Sequence, residues 1–424
     1  MDIVVLLFML LFAAAALFLL MREGLVKGPW PALACAVLLA AAFSLRASFF
    51  DRVTGDYQDF LARWVDYYRQ NGGFRAFGTI PYGCNYHAPY LYFLAFFSYL
   101  SVSDLYLIKL LSVFFDLVLA WTSMKLVGRI TQNALLRAGS FFALLFWPTV
   151  VLNGAYWGQC DSIYTAFALL GLWLALEDRP ILSLVMWALS FSFKLQSVFV
   201  LPAIVVLWIY GKYRWYHLPV FPLAYLAVIL PGVCMGLPLW DTILFYFKQT
   251  DTIGTGLNYN SSSIFALFDN IPKEQWENAS RIGIVAAVFF LLNLLAVAWL
   301  KRRQLTDRSV LCLALLMSIG IPFFLPHMHD RYFYPADILS LALALSTPLF
   351  CLTAPLVVFA SFLGYFAYMS FYIPGMQPHY LLPMKYGAIA LMAAMVLTAL
   401  ALVLSFRKNR KSKPIKGSRV KKRA

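Results

Sequence analysis

Four short runs in this sequence bring acids, cations and hydrogen-bonding side chains together at spacings that could do chemistry. The first, Gly55-Asp56-Tyr57-Gln58-Asp59-Phe60, sets two carboxylates at the head of a segment in which Phe60, Trp64, Tyr67 and Tyr68 recur at helical spacing. That spacing predicts an amphipathic helix lying on a membrane interface with its N-terminus near Asp56. Asp56 can be a helix cap, a general base fixed at a helix start, or both, and the aromatics read as an interfacial belt. The second run, Gly154-Ala155-Tyr156-Trp157-Gly158-Gln159-Cys160-Asp161-Ser162, opens an apolar block with a cluster of polar groups, where Asp161 is either a cap or part of a site. The third, Ser192-Phe193-Lys194-Leu195-Gln196, strands a lysine among apolar residues. That cation must snorkel or meet an anion. The fourth, Pro326-His327-Met328-His329-Asp330-Arg331-Tyr332, holds two His, an Asp and an Arg between apolar blocks. An i, i+2 His pair is a weak metal signal, and Arg331 beside it favours a phosphate; a solvated turn is the plain alternative.

Taken together, a fixed carboxylate, isolated cations and a His-rich basic turn suit displacement at a carbon whose leaving group is a lipid-borne phosphate. The carboxylate would take the proton of an attacking hydroxyl while Lys and Arg stabilise the departing phosphate.

The elements that must position these groups are set by composition. Of 424 residues, 62% are hydrophobic and 12% charged, with a mean hydropathy of +0.75. These values lie far from those of soluble domains. Apolar blocks run through the whole chain, so the expected fold is an all-α polytopic membrane protein: one membrane domain over 1–406 and a basic tail over 407–424. No GxxxxGK[ST] and no GxGxxG between a strand and a helix is present, which excludes a gripped cytosolic nucleotide. The net charge of +15 is mostly the tail, which holds ten Lys and Arg and no acid. A polybasic segment after an apolar span fits anionic lipid on the cytoplasmic side and not nucleic acid. The six cysteines are scattered without metal-like spacing; Cys84 and Cys160 fall in segments expected on the same side and could bridge.

Basic loops kept on one side give a topology. Spans are expected at 3–21, 29–46, 104–127, 138–153, 161–177, 181–194, 196–210, 217–238, 282–300, 309–325, 335–350, 352–373 and 385–406. Parity leaves the 88–101 block, the shortest, as a re-entrant or partial helix. The N-terminus is then outside and the C-terminus inside, with 47–87 and 239–280 as the long outer segments. The second of these carries Lys248, Gln249, Asp251, Gly254-Thr255-Gly256 and Asn258 to Ser263, polar groups suited to a substrate mouth. No fixed-period repeat marks a transporter built from inverted halves.

The runs Gly55-Asp56-Tyr57, Asn85 to Tyr90, Trp157-Gly158-Gln159-Cys160-Asp161-Ser162, Lys194-Leu195-Gln196 and Met328 to Tyr332 occur in the order and style of the GT-C glycosyltransferases. They most resemble bacterial relatives of the GPI-anchor second mannosyltransferase. A weaker resemblance extends to the dolichyl-phosphate-glucose glucosyltransferases. The resemblance spans about residues 45 to 335. It implies a GT-C-like fold and an inverting transfer of a hexose, mannose or glucose, from a polyprenyl-phosphate sugar to a glycan, lipid or protein acceptor on the extracytoplasmic face; the short loops, by composition, point to a bacterial plasma membrane. Carried onto this chain, it makes Asp56 the base and Asp59 a second acid. It puts Lys194, His327, His329 and Arg331 on the donor phosphate and Tyr57, Tyr86, Trp157, Gln159, Asp161 and Gln196 on substrate. No metal ligand set is implied, although Mg or Mn can accompany such chemistry. His87-Ala88-Pro89 stands where many relatives have Thr-Pro-Pro, a departure that bears on sugar or acceptor preference.

Two other classes compete. A transporter or flippase of lipid-linked saccharides would place its ionisable groups near the midplane of paired, broken helices. An O-antigen-type polymerase or ligase would use a diphosphate donor and want clustered outer arginines, which Arg52, Arg63, Arg69, Arg75, Arg281 and Arg331 do not form in sequence.

Overall fold

A computed structural model describes residues 2–248, 256–268, 271–373 and 380–410. The basic tail beyond 410, and Gln249, Asp251 and Gly254-Thr255 of the long loop, lie outside the described residues. Among those described, the regular structure is helical apart from one two-residue parallel strand pair, and the chain folds as an all-α membrane protein. The physical reason is that a chain this apolar must satisfy its backbone within each segment, which helices do.

Among the described residues eight helices are long and apolar enough to cross a bilayer: Ile3–Arg22, Pro29–Ala47, Asp104–Ile130, Trp215–Cys234, Lys273–Leu300, Asp307–Phe324, Thr353–Tyr372 and Met384–Phe406. Asp104–Ile130 and Asp307–Phe324 are mostly buried and form the centre; the first, second, fourth and fifth of the eight are largely exposed around it. The block expected as a straight span over 138–153 is instead a broken pair, Ala134–Leu145 and Pro148–Trp157, bent by 43°. Pro148 supplies the break, since it offers no N–H to the preceding turn. Ala88–Phe97 is a ten-residue helix, about 15 Å long and too short to span.

The remaining expected spans are also short helices: Asp161–Leu176, Pro180–Phe193, Leu195–Ile209 and Tyr334–Ser346. Their length matters for the site. At one end of the molecule Arg129, closing the 27-residue Asp104–Ile130 helix, pairs with Glu177 at 3.1 Å and Asp307 at 2.7 Å. Close by, Lys125 and Arg137 both reach Glu23, and Lys212 reaches Asp178. These contacts level the helix ends there. Asp161–Leu176 has 16 residues, about 24 Å, against about 40 Å for Asp104–Ile130, so its shortfall falls at the opposite end. Asp161 and Lys194 stand at that recessed end. The segments that the sequence assigns to one side therefore meet at one end, and the four motif runs meet at the other.

The amphipathic helix exists, as a π-helical turn over Tyr57–Leu61 continued by the α-helix Ala62–Gln70. Its aromatics do not form a belt. Trp64 and Tyr68 are buried, and Tyr68 stacks on Phe77 with centroids 5.7 Å apart. Cys84 and Cys160 are free thiols.

Candidate active site

The site is built from four segments. At the head of the π-helical turn, the Asp56 side chain makes no capping bond; its Oδ2 accepts from Trp157 Nε1 at 3.0 Å and Gln159 Nε2 at 2.6 Å. These two donors are brought to one oxygen by the end of the broken helix pair. The π-helical turn Leu152–Trp157 stops at Gly158, whose φ of 78° lies in the left-handed region that costs a side chain about 1 kcal/mol or more. The reversal puts Gln159 beside Trp157. Gln159 is pinned further by Tyr86, which donates to its Oε1 at 3.3 Å, and by Ser112, which donates to its carbonyl at 2.7 Å. Trp157 lies flat on Tyr368, with centroids 4.0 Å apart and planes 13° apart. The backbone N–H of Asp56 donates to the Tyr368 hydroxyl at 3.4 Å.

Asp161 does not cap its helix either. Its Oδ1 accepts from Lys194 Nζ at 2.6 Å, and its Oδ2 from Asn153 Nδ2 at 2.8 Å. Lys194 thus does not snorkel; its anion is internal, and it still lines the cavity. Such a buried pair keeps both charges only because each is satisfied.

Arg331 sits between the two clusters. Its guanidinium lies 5.0 Å from the Trp157 ring centroid, with Asp330 at 3.4 Å, Asp161 at 3.7 Å and Asp56 at 4.0 Å. All three approaches are long for a charge-assisted hydrogen bond. Its Nε is buried without a hydrogen-bond partner among the described residues. Three carboxylates therefore face two cations, and one cation is under-bonded. Burial raises Asp330 to about 7 despite the opposing effect of Arg331.

The two histidines are parted. His327 adopts a φ of 61° and its Nδ1 donates to the Gly256 carbonyl at 2.7 Å. His329 stacks on Tyr259, centroids 4.7 Å apart, where Asn258–Tyr259 pairs with Met328–His329 as parallel strands. Burial, then Arg331 and Lys194, lowers His329 to about 3.

Asp56, Tyr86, Gln159, Lys194, Gln196, His327, His329 and Arg331 all line one cavity of about 460 Å³, with Trp157 and Asp161 just behind its wall. Two expected residues are not brought in. Asp59 is exposed and pairs with Arg63 at 3.5 Å, and Tyr57 turns away to donate to Asp104 at 3.1 Å. The cavity has two characters: Val198, Ile284 and Leu325 come from apolar membrane helices or their ends, while Phe60, Leu61, Trp64, Asn85 and Tyr86 come from the 47–87 segment. Among the described residues no three His, Cys, Asp or Glu side chains converge as a metal-binding group. With Asp161 and Asp330 already facing cations, the donor set does not fit a divalent ion.

Sequence reasoning missed Asn153, which also donates to Tyr365 at 2.8 Å, and the C-terminal tyrosines. A signal was present: Tyr365, Tyr368 and Tyr372 fall at i, i+3 and i+7, one face of the Thr353–Tyr372 helix. Comparison of the chain with family models and with curated proteins gives no match.

Proposed function

We propose that this protein is a membrane glycosyltransferase of GT-C-like fold that moves a hexose from a polyprenyl-phosphate sugar to a hydroxyl acceptor, with inversion, at the extracytoplasmic face. The observation that carries the reading is the facing of Asp56 and Arg331 across 4.0 Å in one cavity. The carboxylate is already oriented, and the guanidinium is buried but under-bonded. All the described contacts of the Asp56 side chain fall on Oδ2. Oδ1 is left to accept the proton of the acceptor hydroxyl. The hydroxyl oxygen then bonds to the anomeric carbon from the face opposite the phosphate, and the bond from that carbon to the phosphate oxygen breaks. The electron pair leaves on the phosphate, where Arg331 and Lys194 stabilise it. A lipid carrier is supported by the apolar wall of Val198, Ile284 and Leu325. Mannose or glucose is the sugar that the family resemblance of the motif runs implies.

The competing classes draw little from the geometry. A flippase would want reachable charges at membrane depth, and Arg46–Asp116 is such a pair at 3.1 Å. Both side chains are wholly buried, Arg46 is also locked to the Leu145 carbonyl at 2.6 Å, and neither lines the cavity. A diphosphate donor would want more cations than the cavity's one Arg and one Lys.

The test is transfer of radiolabelled hexose from synthetic polyprenyl-phosphate mannose and glucose by the purified protein and its Asp56→Asn variant. Label leaving the donor with wild type, and about 10²–10⁴-fold more slowly with the variant, is expected of a lost general base. Equal rates for the two proteins would sink the reading.

A further inference from the structure

Phe60 is 46% exposed, yet it lines the cavity from the side of the 47–87 segment. It stands four residues after Asp56, on the same side of a helix that starts with a five-residue π turn. In that turn the Ala62 N–H bonds back to the Tyr57 carbonyl, an i→i+5 closure. Such turns are rare and frequently lie at functional sites. Behind Phe60 the support is rigid. Trp64 is 5.9 Å from it between centroids, is buried, and donates its Nε1 to the Tyr82 carbonyl at 3.3 Å. Trp64 in turn meets Tyr86 edge-on at 5.6 Å, and Tyr86 holds Gln159, which holds Asp56. One continuous set of aromatic and amide contacts therefore fixes the exposed ring relative to the base.

We infer that Phe60, backed by Trp64, is a platform for the pyranose ring of a saccharide acceptor, which places the acceptor's hydroxyl at Asp56. This rests on the glycosyl-transfer reading of Asp56. The apolar wall of Val198, Ile284 and Leu325 suits the carrier chain, so the aromatic wall on the opposite segment remains for the acceptor. A pyranose has an apolar C–H face that covers an aromatic ring and an edge of hydroxyls that wants polar partners. Both lie here together: Asn85 and Gln159 line the same cavity as Phe60. A plain alkyl alcohol would cover the ring but leave those polar groups unused.

The experiment uses the full chain in lipid nanodiscs with octyl α-D-mannopyranoside, octyl α-D-glucopyranoside and 1-octanol as acceptor probes, and methyl α-D-mannopyranoside as a binding probe. Phe60→Ala is expected to raise KM for the octyl glycosides about tenfold, with a smaller change in kcat. It should also lower the preference for glycoside over octanol by a similar factor. Phe60→Trp should restore both. Saturation transfer from protein aromatic protons to the ring protons of the methyl glycoside should be lost in Phe60→Ala and kept in Phe60→Trp. Unchanged glycoside KM in Phe60→Ala, or an equal loss for glycoside and octanol, overturns the platform. Saturation transfer that depends on Phe60 in a protein that turns over no donor would uphold a saccharide site while the transfer reading fell, so the two failures are separable.

Discussion

At the residue scale, the site separates a carboxylate that is held from a cation that is not. Trp157 and Gln159 are neutral donors to Asp56, so they orient the carboxylate without cancelling its charge. Arg331 makes only long contacts to three acids, which leaves its fork available to a phosphate. Lysine would keep the charge but not the planar pair of donors. Arg331→Lys is therefore expected to lower kcat/KM for a polyprenyl-phosphate sugar about 10²-fold, in the range for losing one stabilising donor to a developing oxyanion. Steady-state kinetics with synthetic donor checks this. Asp330 adds a pH dependence. Its raised value means that the folded protein holds a proton there from about pH 4, where an unfolded carboxylate has released it, up to about 7. Through that window the folded state binds more protons than the unfolded one, so rising pH removes stability. In function, a protonated Asp330 leaves Arg331 with one competing anion fewer. Donor KM should be lowest below about pH 7 and rise above it, and Asp330→Asn should flatten the profile of donor KM against pH.

At the scale of elements, the site depends on contacts between pieces distant in sequence. The Trp157–Tyr368 stack joins the π turn Leu152–Trp157 to the Thr353–Met369 helix, and Asn153 reinforces that joint through Tyr365. An aromatic stack of this kind contributes about 0.5–1.5 kcal/mol beyond burial. Tyr368→Ala should free the indole that orients Asp56 and lower kcat about tenfold while donor KM changes less. Tyr368→Phe, which keeps the stack and loses only the 3.4 Å bond from the Asp56 N–H, should retain most activity. The sequence revealed one half of this arrangement. The runs around Asp56, Trp157, Lys194 and Arg331 were legible because polar groups inside apolar blocks are conspicuous. The tyrosines share one helix face, but in a chain rich in aromatics that spacing does not stand out until the neighbouring element is known. For the same reason Asp56 and Asp161 could be read as caps, and Lys194 as snorkelling. Only the fold shows that each has an internal partner. The helix breaks were not read from the sequence: Pro148 lies inside the expected span 138–153, and the π turn at Tyr57–Leu61 has no composition signature.

At the scale of the whole molecule, two layers of polar contacts define a direction. One layer joins Glu23, Lys125, Arg129, Arg137, Glu177, Asp307 and Lys212 at the level helix ends. The other is the recessed cavity with Asp56, Asp161, Lys194 and Arg331. The first layer holds the cations between the expected spans, and such cations stay on the cytoplasmic side. On the proposed reading, the short helices leave their shortfall at the external surface, where a lipid-borne donor and a bulky acceptor would meet without nucleotide or cytosolic machinery. This orientation is testable with Tyr82 and Gln132, both exposed and on opposite layers. In a background with the six native cysteines replaced by serine or alanine, Tyr82→Cys should react with a membrane-impermeant maleimide in intact cells. Gln132→Cys should react only after the membrane is permeabilised. The reverse pattern would place the cavity in the cytoplasm, where a lipid-phosphate donor would have no advantage over a soluble nucleotide sugar, and the proposed reaction would lose its physical rationale.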